Sequence, residues 1–158
     1  MPNVSTTMPA SSSFSPVSLY RNLLSAANQI PLSVVQLAAR VAVAHVFWNS
    51  AQSKLASWDV TQQLFAMEYQ VPLLRPEIAA PLATATELGG AVLIFFGLLT
   101  RLGALALLGV IAVIQLFVFP GSWGDHILWA SLLLLLVARG AGKLSLDYLA
   151  SRLWPKKV

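Results

Sequence analysis

Charged side chains are scarce in this sequence, and two of them fall inside long apolar runs, where a charge does chemistry or fixes a fold. At ~1.5 Å per residue, Arg40 lies about nine residues into one run and Glu87 about ten into the next, so each sits roughly 13–15 Å from its entry point. In a hydrocarbon core about 30 Å thick both belong near the midplane. A lone charge there costs several kcal/mol, so such groups pair or line a cavity. Equal depth and opposite sign make Arg40 and Glu87 the expected partners, either as an ion pair that sets helix register or as part of a buried polar site. Arg40, Phe47 and Lys54 are spaced seven apart and share one helical stripe. Lys54 ends that stripe, as a site residue or as a snorkelling lysine. Gln115 reads as glue between helices or, less simply, as a ligand contact.

Asp125 and His126 follow a Gly-Ser-Trp-Gly turn. Asp125 suits an N-cap, where its carboxylate accepts free backbone N–H groups and complements the helix dipole. Neither capping nor lipid contact calls for the imidazole of His126, which titrates near neutrality and can pass a proton, bind a metal or meet a quinone oxygen. His45 is the other histidine, roughly 13 Å below the outer end of its helix by the helical rise, while His126 is at the outer end of its own. A haem held by both is therefore disfavoured. Cysteine is absent, which excludes disulfides, thiolate metal sites and thiol chemistry by this chain. The expected buried polar site comprises Arg40, Glu87, His126, Lys54, Gln115 and Asp125, with no metal ligand and no catalytic residue assigned. Its cofactor stays open, with quinone compatible.

Four apolar segments must position these groups: residues 31–54, 77–99, 102–119 and 125–138, the last being the shortest. A span needs about 20 apolar residues. Prolines Pro31 and Pro76 open the first two, and Pro120-Gly121 closes the third. The short link at Thr100-Arg101 makes the second and third segments antiparallel neighbours. Between the first two lies a stretch too polar to span. There Val60, Leu64, Met67 and Val71 recur at helical steps, predicting a short amphipathic helix along the interface. Residues 1–18, rich in Ser, Thr and Pro, read as a flexible polar tail. Leu19 to Ile30 reads as an interfacial approach segment. The division is thus 1–30 tail and approach, 31–158 membrane domain.

The fold class expected is all-α, an integral membrane four-helix bundle. Of 158 residues 57% are hydrophobic and 10% charged. Soluble domains carry about 25% charged residues, so there is too little polar surface here to face water. A net charge of +4 admits nucleic acid in principle. The basic residues flank apolar runs instead of forming a patch, which argues against it and for a lipid bilayer. With the N-terminus inside, the inner side holds Arg21, Arg101, Arg139, Lys143, Arg152, Lys156 and Lys157, and the outer side only Lys54 and Arg75. That bias places both termini in the cytoplasm. Trp48, Trp58, Trp123 and Trp129 then cluster at the outer interface.

Over residues 32–150 the chain resembles the DoxX family of small four-helix bacterial membrane proteins. The carriers are Arg40 with Phe47 and Lys54, Glu87-Leu-Gly-Gly90, Gly97-Leu-Leu-Thr-Arg101, Asp125-His126-Ile-Leu-Trp129 and Gly142-Lys-Leu-Ser-Leu-Asp147. The stretch from Trp58 to Phe65 and Glu68-Tyr-Gln-Val-Pro-Leu-Leu74 resemble the subgroup encoded beside small secreted metal-binding peptides. A glycine common before the lysine is replaced by Ala51-Gln-Ser53. The resemblance implies a subunit of a membrane oxidoreductase complex. Examples are thiosulfate:quinone oxidoreductase and an assembly with superoxide dismutase and a sulfurtransferase. Partners would be other membrane or periplasmic redox subunits, and a homo-oligomer stays open. The contrasting reading is a non-catalytic scaffold or transport accessory for a metal- or stress-related peptide system.

Overall fold

The computed structural model describes residues 15–153. Residues 1–14 of the expected tail lie outside them, as do Lys156 and Lys157. The chain divides into two compact units, Met1–Pro31 and Leu32–Val158. In the first, helix α1 (Pro16–Asn28) starts within the stretch read as tail. Pro16 has the pre-set φ of a first helical position, and the Ser15 hydroxyl accepts the Val17 N–H at 3.3 Å.

The second unit is a four-helix bundle. Its helices are α2 (Leu32–Ala56), α4 (Pro76–Phe96), α5 (Thr100–Val113, running on as a π turn over Ile114–Val118) and α6 (Trp123–Arg139). Between α2 and α4 lies the short α3 (Trp58–Leu64), extended by a second π turn, Phe65–Tyr69, and the chain continues to α7 (Leu146–Leu153). The described residues contain no strand. Around the bundle α2 packs on α4 and α6, and α5 packs on the same two helices, closing a ring of four. Alternating directions and short links give this up-and-down order.

Among the described residues three helices are long and apolar enough to cross a bilayer: α2, α4 and α5 with its π turn. The fourth, α6, has 17 residues. The chain is a membrane protein whose outward surface is apolar, with Leu102, Leu105, Ile127, Leu128 and Leu134 all exposed. The core is a seam of Val43, Phe47, Ala91, Ile94, Ala104, Leu107, Leu133 and Leu136. Lipid tails compete equally for leucine, so close backbone approach at small residues decides which faces meet. A Cβ on Gly90 would stand 2.7 Å from Leu107 Cγ, so glycine there lets α4 and α5 touch.

The linking helix forms where it was expected. Its buried face is Thr61 and Phe65, with Tyr69 half-buried, while Val60 and Met67 are 54% and 77% exposed. Thr61 is drawn in because its hydroxyl donates to the Lys54 carbonyl at 2.9 Å, closing the end of α2. Thr61 and Phe65 thus face the bundle and leave Val60 and Met67 on the open side of the helix.

Candidate functional site

The expected midplane pair does not form. Arg40 donates Nε–H to the Ile94 carbonyl at 2.8 Å, Nη1 to the carbonyls of Ala141 (3.3 Å) and Leu144, and Nη2 to that of Phe95. No carboxylate touches it, although it is only 2% exposed. The reason is register. α4 ends level with Arg40, and the first two turns of α2 run on beside residues 139–144. There Gln36 donates to the carbonyls of Arg139 (2.9 Å) and Gly140 (3.0 Å), and Ser33 accepts the Lys143 N–H at 3.1 Å. Counting from helix starts therefore put Arg40 too close to Glu87.

This Arg40 end is a knot of chain turns. Gly97, at φ +67°, lies so near that a Cβ would stand 2.8 Å from the guanidinium carbon. Asp147 closes the knot, its carboxylate accepting the Leu99 and Thr100 N–H groups at 2.7 and 3.0 Å. Those are the free donors at the start of α5, which has no side-chain cap of its own.

Glu87 instead meets Lys54. The ammonium donates to both carboxylate oxygens, at 3.0 and 2.7 Å, and to the Ser50 hydroxyl at 2.8 Å. All three of its protons are used. Glu87 is 1% exposed and Lys54 17%. Each carboxylate oxygen keeps a lone pair unused by the lysine, so the pair is neutral overall yet still able to accept.

Beside this pair opens a cavity of about 620 Å³. Its polar lining is Ser50, Lys54, Glu87, Tyr69, His126 and Thr86, whose hydroxyl donates to the Leu82 carbonyl, with Trp129 alongside; the rest is apolar. Its position follows from packing. α4 and α5 are drawn together at Gly90 and Leu107 and separate beyond, toward the Lys54 end. Leu82, Ala106 and Gly109, on the cavity wall, are exposed, so the opening lies between α4 and α5 on the surface that faces lipid. The two π turns supply Phe65, Tyr69, Ile114 and Val118, and Tyr69 packs edge-on against Phe119, 5.6 Å between centroids. A π turn shifts its side chains off helical register, and such turns recur at functional sites.

His126, 6% exposed, is held from behind. Gln115 donates Nε2–H to the Pro120 carbonyl at 2.8 Å, which turns its Oε1 toward His126 Nδ1 at 2.6 Å. A carbonyl oxygen only accepts, so Nδ1 carries a proton, which in the neutral form of the ring leaves the lone pair on Nε2. Among the described residues Nε2 has no hydrogen-bond partner, and the ring lies 5.6 Å from Trp129. Burial, followed by the carboxylates of Glu68 and Glu87, pushes the Tyr69 phenol above its usual range, so it stays a proton donor through neutral pH.

Of the six expected site residues, Lys54, Glu87 and His126 thus share one cavity, and Gln115 stands behind the histidine. Arg40 is outside it. Asp125 is exposed in the first turn of α6; the N-cap is Ser122, which leaves Asp125 a dipole partner and not the cap. Tyr69 and Ser50 were not among those expected. Tyr69 is signalled by the run Thr61, Phe65, Tyr69 at four-residue steps, and Ser50 by its place one turn before Lys54. His45 lies on the outer face of α2, in a different groove, so the two histidines cannot hold one haem.

A family model described as DoxX matches residues 35–120. A Haemophilus influenzae protein described as uncharacterized is 30% identical over 122 residues, covering 70% of this chain and 81% of that protein. No solved structure matches.

Proposed function

The chain belongs to the DoxX family, and on that premise we propose that it is the membrane subunit of a redox-linked complex, binding the head group of a quinone or similar lipid-soluble molecule. The bare Nε2 of His126 carries this reading. It is aimed into an apolar, lipid-facing cavity next to a Lys54–Glu87 pair and a protonated Tyr69. A quinone is apolar with two carbonyl oxygens at its head. On reduction it takes up protons and becomes a hydroxyl donor, which Nε2 accepts. Lys54 and Tyr69 suit the oxidised form, as a positive charge and a hydroxyl donor for its carbonyls. Entry between α4 and α5 lets a molecule dissolved in lipid arrive without crossing water. The redox partner itself, another membrane or periplasmic subunit, supplies the electrons. We place the Lys54 end on the periplasmic side of a bacterial inner membrane, with both termini in the cytoplasm, from the lysine and arginine bias.

The test uses the purified protein in lipid nanodiscs and a short-chain ubiquinone in its oxidised and its reduced form, read by quenching of tryptophan fluorescence, to which Trp129 contributes. Saturable quenching is expected. Losing one buried hydrogen bond of about 1–2 kcal/mol, His126→Ala should bind the reduced form, which donates to Nε2, roughly tenfold more weakly, while Asp125→Ala binds normally. Non-saturable quenching, identical in the wild type and His126→Ala, sinks the quinone reading and favours the scaffold or transport accessory.

A further inference from the structure

A second polar pair lies where nothing in the cavity explains it. His45 is near the middle of the 25-residue α2, and both His45 and Asn49 are exposed on the outward side of that helix. Their side chains meet each other, Nε2 to Nδ2, at 3.0 Å. Away from the helix ends, where Gln52 is exposed, polar groups elsewhere in the spans are either buried, like Gln36, Arg40, Glu87 and Gln115, or bonded to their own helix, like Ser131, whose hydroxyl donates to the Ile127 carbonyl at 2.7 Å. His45 and Asn49 are different. Whichever way the amide is turned, one bond between them leaves a donor and an acceptor facing hydrocarbon, which satisfies neither.

We propose that this face of α2 is the interface of a homodimer, in which His45 of each copy hydrogen-bonds Asn49 of the other. The leftover groups are complementary to themselves. A two-fold axis along the membrane normal makes residue i meet residue j and j meet i, so one symmetric contact satisfies both copies. The two copies of α2 run parallel in such a dimer, which keeps His45 and Asn49, one turn apart, within mutual reach. A groove of about 450 Å³ between α2 and α4 adjoins the pair. Ala44 and Ala91 lie in it, leaving room for close approach, and Trp48, Phe95 and Phe96 edge it with aromatic surface that a second copy covers. The inference does not depend on the cavity or on any quinone.

The chain has no cysteine, so a single introduced one can cross-link only to another molecule. Val41 is 46% exposed, one turn from His45 on the same face, while Leu105 on α5 and Leu134 on α6 are exposed elsewhere. In native membranes treated with copper phenanthroline, Val41→Cys should give a band at twice the monomer mass, and Leu105→Cys and Leu134→Cys should not. Two interhelical bonds of about 0.6 kcal/mol each, or somewhat more, correspond to roughly tenfold, so His45→Leu with Asn49→Leu should weaken dimerisation about that much by light scattering in mild detergent. Equal cross-linking of all three cysteines, none at Val41, or a Val41 adduct of any other mass overturns the dimer. So does a visible absorption band in the purified protein that His45→Leu abolishes, since the face would then hold a porphyrin.

Discussion

At the scale of single residues the decisive fact is which cation Glu87 meets. Lys54 uses every proton it has on Glu87 and Ser50, and Arg40 is satisfied by carbonyls alone. Removing one partner of a buried ion pair leaves the other uncompensated, at about 3–5 kcal/mol. Glu87→Gln and Lys54→Met should therefore each lower stability, and the double variant should lose less than the sum by about 1–3 kcal/mol. Arg40→Gln combined with Glu87→Gln should be additive, because no bond joins them. Melting temperatures in one detergent measure all of these; coupling between Arg40 and Glu87 larger than that between Lys54 and Glu87 would contradict the assignment. The residue types of this site were legible in the sequence, since charge inside an apolar run is conspicuous. Their pairing was not. It depends on how far one helix overhangs its neighbour, which no count along a single helix reveals.

The elements were more legible than their ends. All four apolar segments are helices, and the polar stretch after the first is a short helix as expected. What the pattern did not disclose are the two π turns, over Phe65–Tyr69 and Ile114–Val118. A π turn adds a residue without changing hydrophobic character, so periodicity passes over it. Yet these turns line the cavity with Tyr69 and set Gln115 behind His126. The link between α4 and α5 was legible as tight, but not that Asp147, far along the chain, caps it. The carboxylate reaches α5 because α7 starts beside Gly97, where the Asp147 N–H donates to the glycine carbonyl at 2.8 Å.

At the scale of the molecule, sidedness fixes what each end of the bundle can meet. Reporter fusions after Lys157 are expected to read cytoplasmic, and insertions near Gln70, in the segment after the π turn, to read external. An internal signal at Gln70 would turn the cavity toward the cytoplasm and exchange every partner proposed for it.

The Arg40 knot also imposes an order of manufacture. Its guanidinium belongs to α2, the first helix of the bundle, but two of its acceptors, Ala141 and Leu144, lie beyond α6, the fourth. During synthesis the first helix must enter the bilayer carrying a charge whose partners do not yet exist. It receives Ile94 and Phe95 when α4 arrives, and the remainder only after α6 has been made. Arg40 thus gains its last two acceptors only once residue 144 has been made. A chain cut after residue 139 keeps every span yet leaves the guanidinium half-served, and in pulse–chase it should be degraded several-fold faster than the full chain. Arg40→Leu in the same cut chain should restore much of its lifetime, and no rescue would mean that the knot exerts no such check.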